Sequence, residues 1–107
     1  MHSPIRRAAP LVLWAAAFGA MAPAAAQDPN LGRNLAATCA NCHGTNGKAV
    51  GDMKVLAGVP APKLIAMMAD YKSGNLPATI MHQIAKGYTD EQIRLIAAYF
   101  AAQKPPK

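Results

Sequence analysis

The stretch Cys39-Ala40-Asn41-Cys42-His43 holds both cysteines of this 107-residue chain, three positions apart, with a histidine directly after them. Two thiols and an imidazole at this spacing suit four kinds of chemistry. A structural zinc site needs four ligands, usually as two pairs, and the second pair is missing. A thioredoxin-like redox pair wants a βαβ setting. A plain disulfide is natural in an exported protein but leaves His43 without a role. Covalent haem attachment has C-x-x-C-H as its signature and uses all three side chains. The geometry favours it. On a last helical turn, positions i and i+3 share a face and i+4 lies beside them. Two thiols can then add to two vinyl groups on one edge of a flat macrocycle, while the imidazole reaches the iron.

A six-coordinate haem takes a second axial ligand on its other face. Methionine sulfur is soft and suits iron in an electron-transfer site. The candidates are Met53, Met67, Met68, Met81 and His82. Met67 and Met68 fall in an apolar helical stripe, where core packing is the ordinary role. Met53 lies in a loop. Met81 follows Pro77, far enough along for the chain to wrap round a ring. His82 reads as an exposed helix-surface histidine. Spacing leaves the choice open.

The elements that must position these residues are helical. No alternating Val- or Ile-rich stretch of useful length appears, so an all-α fold of about four helices is expected. The first runs over about 29–40, with Asp28 as N-cap and Pro29 at the first helical position. The second runs over about 62–72, with Leu64, Met68 and Tyr71 on one face and Gly74 after its end. A short third runs from about Pro77 to Gly87. The fourth has a complete start signal: Thr89 caps, Gln92 stands three later, and Asp90 and Glu91 suit a helix N-terminus. Its stripe is Ile93, Ile96, Ala97 and Phe100. The Gly-containing loop between Cys42 and Pro62 is long for a small domain, and such loops wrap or bind something. Residues 103–107 read as a polar, disordered tail.

Residues 1–26 read as a cleaved secretory signal peptide. Arg6 and Arg7 are basic, Leu11–Ala22 is apolar but too short to span a bilayer, and Ala24-Ala25-Ala26 offers a cleavage site. Cleavage leaves a domain over 27–107 in the periplasm, with no membrane association. The formal charge falls from +6 to +4, because two arginines and no acid are lost. The remaining basic residues are scattered, which argues against nucleic acid and for acidic protein partners. So short a domain buries only a modest core, and a large apolar group at its centre supplies what is lacking.

C-A-N-C-H-G-T-N-G, Leu56-Ala57-Gly58, Tyr71-Lys72-Ser73-Gly74 and Leu95-Ile96-Ala97-Ala98-Tyr99-Phe100 together resemble class I c-type cytochromes. The stretch from Tyr71 to Ile93 is similar to the cytochrome subunit of flavocytochrome c sulfide dehydrogenase. The resemblance implies one haem c on Cys39 and Cys42, His43 as proximal iron ligand and Met81 as distal ligand. It implies that the first and last helices cross, with Gly32 close to the side carrying Ile96 and Tyr99. The family often has a proline two residues before its Leu-Ala-Gly, whose carbonyl accepts a hydrogen bond from the proximal histidine. Lys54 stands there in this chain. The implied function is outer-sphere electron transfer, from a flavoprotein subunit to an electron-accepting cytochrome, or as a free-standing shuttle. Lys48, Lys54, Lys72 and Lys86 are expected to ring the haem edge. The chain carries no groups for substrate chemistry of its own, so catalytic residues are not expected.

Overall fold

The computed structural model describes residues 28–107, together with Pro4 and Pro10. The signal peptide expected over 1–26 lies outside the described residues, apart from those two prolines. The fold is all-α, with no strand among the described residues.

The first helical segment is not one continuous α-helix. It comprises α1 (Leu31–Ala36), a 3-10 turn (Ala37–Cys39) and α2 (Ala40–His43). The 29–40 expectation is therefore corrected: the segment starts two residues later, ends at the histidine and tightens in its middle. Asp28 is not its cap and Pro29 not its first residue: Asn30 is the N-cap and has no side-chain cap bond, while Asp28 closes the turn before it, its Oδ1 accepting the Asn30 amide at 2.8 Å and its carbonyl the Leu31 amide at 2.9 Å. A second 3-10 turn, Thr45–Gly47, follows at once. α3 spans Ala61–Ser73, with proline in its first turn and Gly74 (φ 82) closing it. These bounds fall within a residue of those read from the stripe.

α4 is Met81–Lys86, shorter than the expected helix from Pro77. Pro77 does not start it. The chain over 75–80 stays irregular, and Ile80 precedes the helix with φ −137°, outside the helical range. Met81 is thus the first helical residue. α5 is Asp90–Ala101. Its capping box is complete: the Gln92 amide donates to Thr89 Oγ1 at 3.1 Å, and the Thr89 amide donates to Gln92 Oε1 at 2.9 Å.

Packing pairs α1 with α5, α3 with α4, and α3 with α5. Ala36, Leu64, Met68, Ala85, Ile93, Ile96, Ala97 and Phe100 form one buried cluster, to which α5 contributes the whole stripe read from sequence. At the α1–α5 crossing Gly32 is required by contact. A Cβ there would lie 2.9 Å from the Leu95 carbonyl oxygen and 3.7 Å from Tyr99 Cβ. Tyr99 is where the resemblance put it, but the close partner is the Leu95 backbone rather than Ile96.

The tail begins with contacts to the fold. Gln103 Nε2 donates to the Tyr99 carbonyl at 3.0 Å, and the Pro105 ring lies against Gly58. No described helix is long and apolar enough to cross a membrane.

Candidate functional site

Between the 3-10 turn and α2 on one side and α3–α4 on the other, with α5 also contributing, lies a cavity of about 650 Å³. Cys39, Cys42 and His43 line it, and so do Met53, Met67, Met68 and Met81. His82 does not. α4 turns that side chain away from the space Met81 faces, which leaves four methionines in reach. Met68 is buried at 7% exposure within the core cluster, as its stripe position implied. Met53 is 44% exposed at the mouth.

α2 ends at His43, which gives this residue its aim. Its Nδ1 lies 2.7 Å from the Lys54 carbonyl oxygen. A carbonyl only accepts, so Nδ1 carries the proton and Nε2 keeps its lone pair for a metal. The hydrogen bond that the resemblance assigns to a proline carbonyl is accepted here by the Lys54 carbonyl. The long Gly-containing loop holds that carbonyl in place. Gly47 O accepts both the Leu56 amide at 2.9 Å and the Ala57 amide at 3.1 Å, tying the returning strand of the loop to the turn after His43. Gly47 sits at φ 75, and a Cβ would lie within 2.9 Å of Ala57, Leu56 and Phe100 atoms. Only glycine combines that backbone with that closeness.

Both thiols are free, Cys39 half-buried and Cys42 exposed. Burial pushes the Cys39 thiol above its ordinary value, with the Thr38 hydroxyl pulling partly against it. A thiol held neutral in an apolar wall is a poor redox nucleophile. The same wall suits a neutral thioether.

Of the four lysines expected to ring the site, Lys54 alone lines the cavity. Lys72 Nζ is 3.6 Å from Asp90 Oδ1, bridging the end of α3 to the start of α5. Thr38, Tyr71, Ile80 and Tyr88 also line the cavity. Residue pattern alone gave Thr38, Ile80 and Tyr88 no part in the site. Tyr88 stood only inside the Tyr71–Ile93 stretch of the resemblance.

Residues 29–104 match the cytochrome c family model. The chain belongs to the cytochrome c family. Its relatives include the cytochrome subunit of sulfide dehydrogenase from Chlorobaculum tepidum, 38% identical over 87% of this chain and 90% of that one. Cytochrome c-554(548) of Halomonas halodenitrificans is 34% identical over 74% of this chain and 100% of its own. Cytochrome c4 of Pseudomonas aeruginosa is 36% identical over 75% of this chain. This cytochrome spans only 40% of that relative's length.

A cytochrome c is an electron carrier with covalently bound haem c, and the cavity fits such a group. Its volume lies within the range of about 300–1,000 Å³ usual for cofactor sites. Its wall is mostly apolar, and its few donors are two thiols, an imidazole with a free nitrogen and thioether sulfurs. Those donors suit iron in a porphyrin and leave no carboxylate set for a hard cation.

Proposed function

We propose that this cytochrome is a periplasmic carrier of single electrons that holds one haem c through Cys39 and Cys42, with His43 as proximal and Met81 as distal iron ligand. The observation that carries the reading is the convergence of all four side chains on one cavity, with His43 Nδ1 already committed to Lys54. Met81 is favoured among the methionines because it opens a helix directly at the cavity, whereas Met68 is core and Met53 sits at the open mouth.

Haem c, when bound, supplies a metal that gains and loses one electron without a bond being made to substrate. The chain's residues do the rest. Cys39 and Cys42 hold the ring by thioether bonds. His43 offers Nε2 in the tautomer that the Lys54 carbonyl fixes. Met81 would offer its thioether sulfur as the second protein ligand, which would keep small molecules off the metal and favour the reduced state. Leu56, Leu64, Ile96 and Phe100 exclude water. A dry wall disfavours the more highly charged oxidised state and holds both states in one geometry. Ile80, 58% exposed, and Met53 form an apolar rim through which an electron can pass to a docked protein.

The electron donor in this reading is the flavoprotein subunit of a sulfide dehydrogenase, and the acceptor is another cytochrome. Support comes from the Chlorobaculum relative, whose likeness runs over nearly the full length of both chains. Residues 1–26 direct export and are then removed, and residues 27–107 form the working domain. Affinity purification from the native periplasm, with absorbance read for haem and flavin together, tests the reading. A flavoprotein near one-to-one with haem supports it. A lone haem protein at low salt leaves a free-standing shuttle and removes the sulfide chemistry.

A further inference from the structure

Two side-chain hydrogen bonds among the described residues join distant parts of the chain. One is Tyr99 to Asn46. The other is Thr38 to Tyr88, with 2.7 Å between the hydroxyl oxygens and fifty positions between the residues. Only the second pair lines the cavity.

Either hydroxyl can donate in that bond. Thr38 Oγ1 also lies 3.3 Å from the Leu35 carbonyl. Thr38 directly precedes Cys39. Tyr88 stands two residues after α4, the helix that Met81 opens. α4 itself packs on α3. The bond therefore ties the wall bearing Cys39, Cys42 and His43 directly to the segment bearing Met81. The Tyr88 ring packs against the buried cluster, so the hydroxyl is held by a fixed body rather than a free arm.

We propose that the Thr38–Tyr88 hydrogen bond is a latch on the distal side, and that these two positioning residues set how readily Met81 yields its place to an outside ligand. The inference rests on Met81 being the distal ligand. For an outside ligand to enter, the Met81 segment must move off the opposite wall, and that movement breaks the latch. Without the latch, opening is easier by about one net hydrogen bond, or roughly fivefold in the equilibrium. Tyr99–Asn46 ties the Thr45–Gly47 turn to α5 away from the cavity, which makes it a matched control.

The test is imidazole titration of the oxidised, haem-loaded full chain, followed by absorbance, with denaturation midpoints measured alongside. Tyr88→Phe and Thr38→Ala should each bind imidazole about fivefold more tightly than the parent. The double variant should bind no more tightly than either single one. Thr38→Ser, which keeps the hydroxyl, should match the parent. Tyr99→Phe should lower the denaturation midpoint and leave imidazole affinity unchanged. Unchanged affinity in Tyr88→Phe and Thr38→Ala overturns the latch, and so does an effect of the double variant that multiplies those of the singles. A Tyr99→Phe affinity rising in step with Tyr88→Phe also overturns it, because general loosening then explains both. If Tyr88→Phe does not take up haem, Thr38→Ala and Thr38→Ser carry the comparison. Met81→Ala reports on the underlying reading: affinity equal to the parent removes Met81 as ligand, and the latch with it.

Discussion

The ring of His43 has two nitrogens, and one is spoken for by a backbone oxygen. Because the Lys54 carbonyl is the acceptor, the side chain at 54 is free to vary. Lys54→Ala should leave the haem spectrum of the parent unchanged and lower the potential slightly, since a positive charge is lost at the cavity wall, while a partner that relies on charge steering binds it with less salt dependence. A shift in the spectrum would mean that the loop had moved and the carbonyl with it. Met81 is the opposite case, since the ligand role proposed for it needs its side chain. Met81→Ala should open the distal position and lower the potential by on the order of 0.1 V or more, within the ~0.8 V that axial ligands span. A redox titration checks it, and an unchanged spectrum removes the assignment. At this scale the sequence was informative where the chemistry is local. Cys39, Cys42 and His43 lie within five consecutive residues, so their meeting on one cavity wall follows from spacing. Thr38 and Tyr88 were not legible, because their partnership exists only after the fold has brought together residues fifty positions apart.

At the scale of elements, signals that act within four residues were read well. The Thr89–Gln92 capping box and the α5 stripe appear as expected, because both depend on local periodicity. Boundaries set by the whole fold were read less well. Pro77 looked like a helix start, yet the chain stays irregular until Met81, where the cavity and α3 decide its course. The middle of the first segment tightens into a 3-10 turn at Ala37–Cys39 for which composition gives no sign. The long loop was recognised as one that must hold something, but not how. Its anchor is the Gly47 carbonyl, which accepts two amides. Gly47→Ala should therefore cost about 2–5 kcal/mol, from a left-handed backbone and an overpacked contact with Ala57, Leu56 and Phe100. Gly51 also has positive φ, 67, but open space around it. Gly51→Ala should cost only about 1–2 kcal/mol, from the backbone alone. Denaturant unfolding of the two haem-loaded variants tests the difference, and equal losses would show that the Gly47 contact carries no weight.

The whole molecule is organised around a space rather than around a core. Nine apolar residues of the described chain are buried, and four of them are alanine: Ala36, Ala57, Ala85 and Ala97. Phe100 and Ile96 are the largest side chains wholly removed from water. The cavity of about 650 Å³ is bounded by the 3-10 turn at Ala37–Cys39, α2, α3, α4, α5 and the loop, so whatever fills it contacts nearly every element. Burial of apolar surface is worth roughly 25 cal/mol per Å². Walls left facing an open space forgo that contribution, while the conformational entropy of ordering the chain remains in full. Domains this small commonly depend on such a staple. Haem c fits the space, so folding and attachment should be coupled. The double variant Cys39→Ala/Cys42→Ala, which cannot form the thioethers, is expected to lose most of its helical far-ultraviolet signal when isolated without haem. Addition of free haem should recover part of that signal through His43, Met81 and the apolar wall, with a midpoint that depends on haem concentration as binding linkage requires. The covalently loaded parent should show no such dependence. A haem-free double variant that melts cooperatively at the parent's temperature would mean that the helices close on one another without the cofactor, and that the cavity is a consequence of the fold rather than its organising centre.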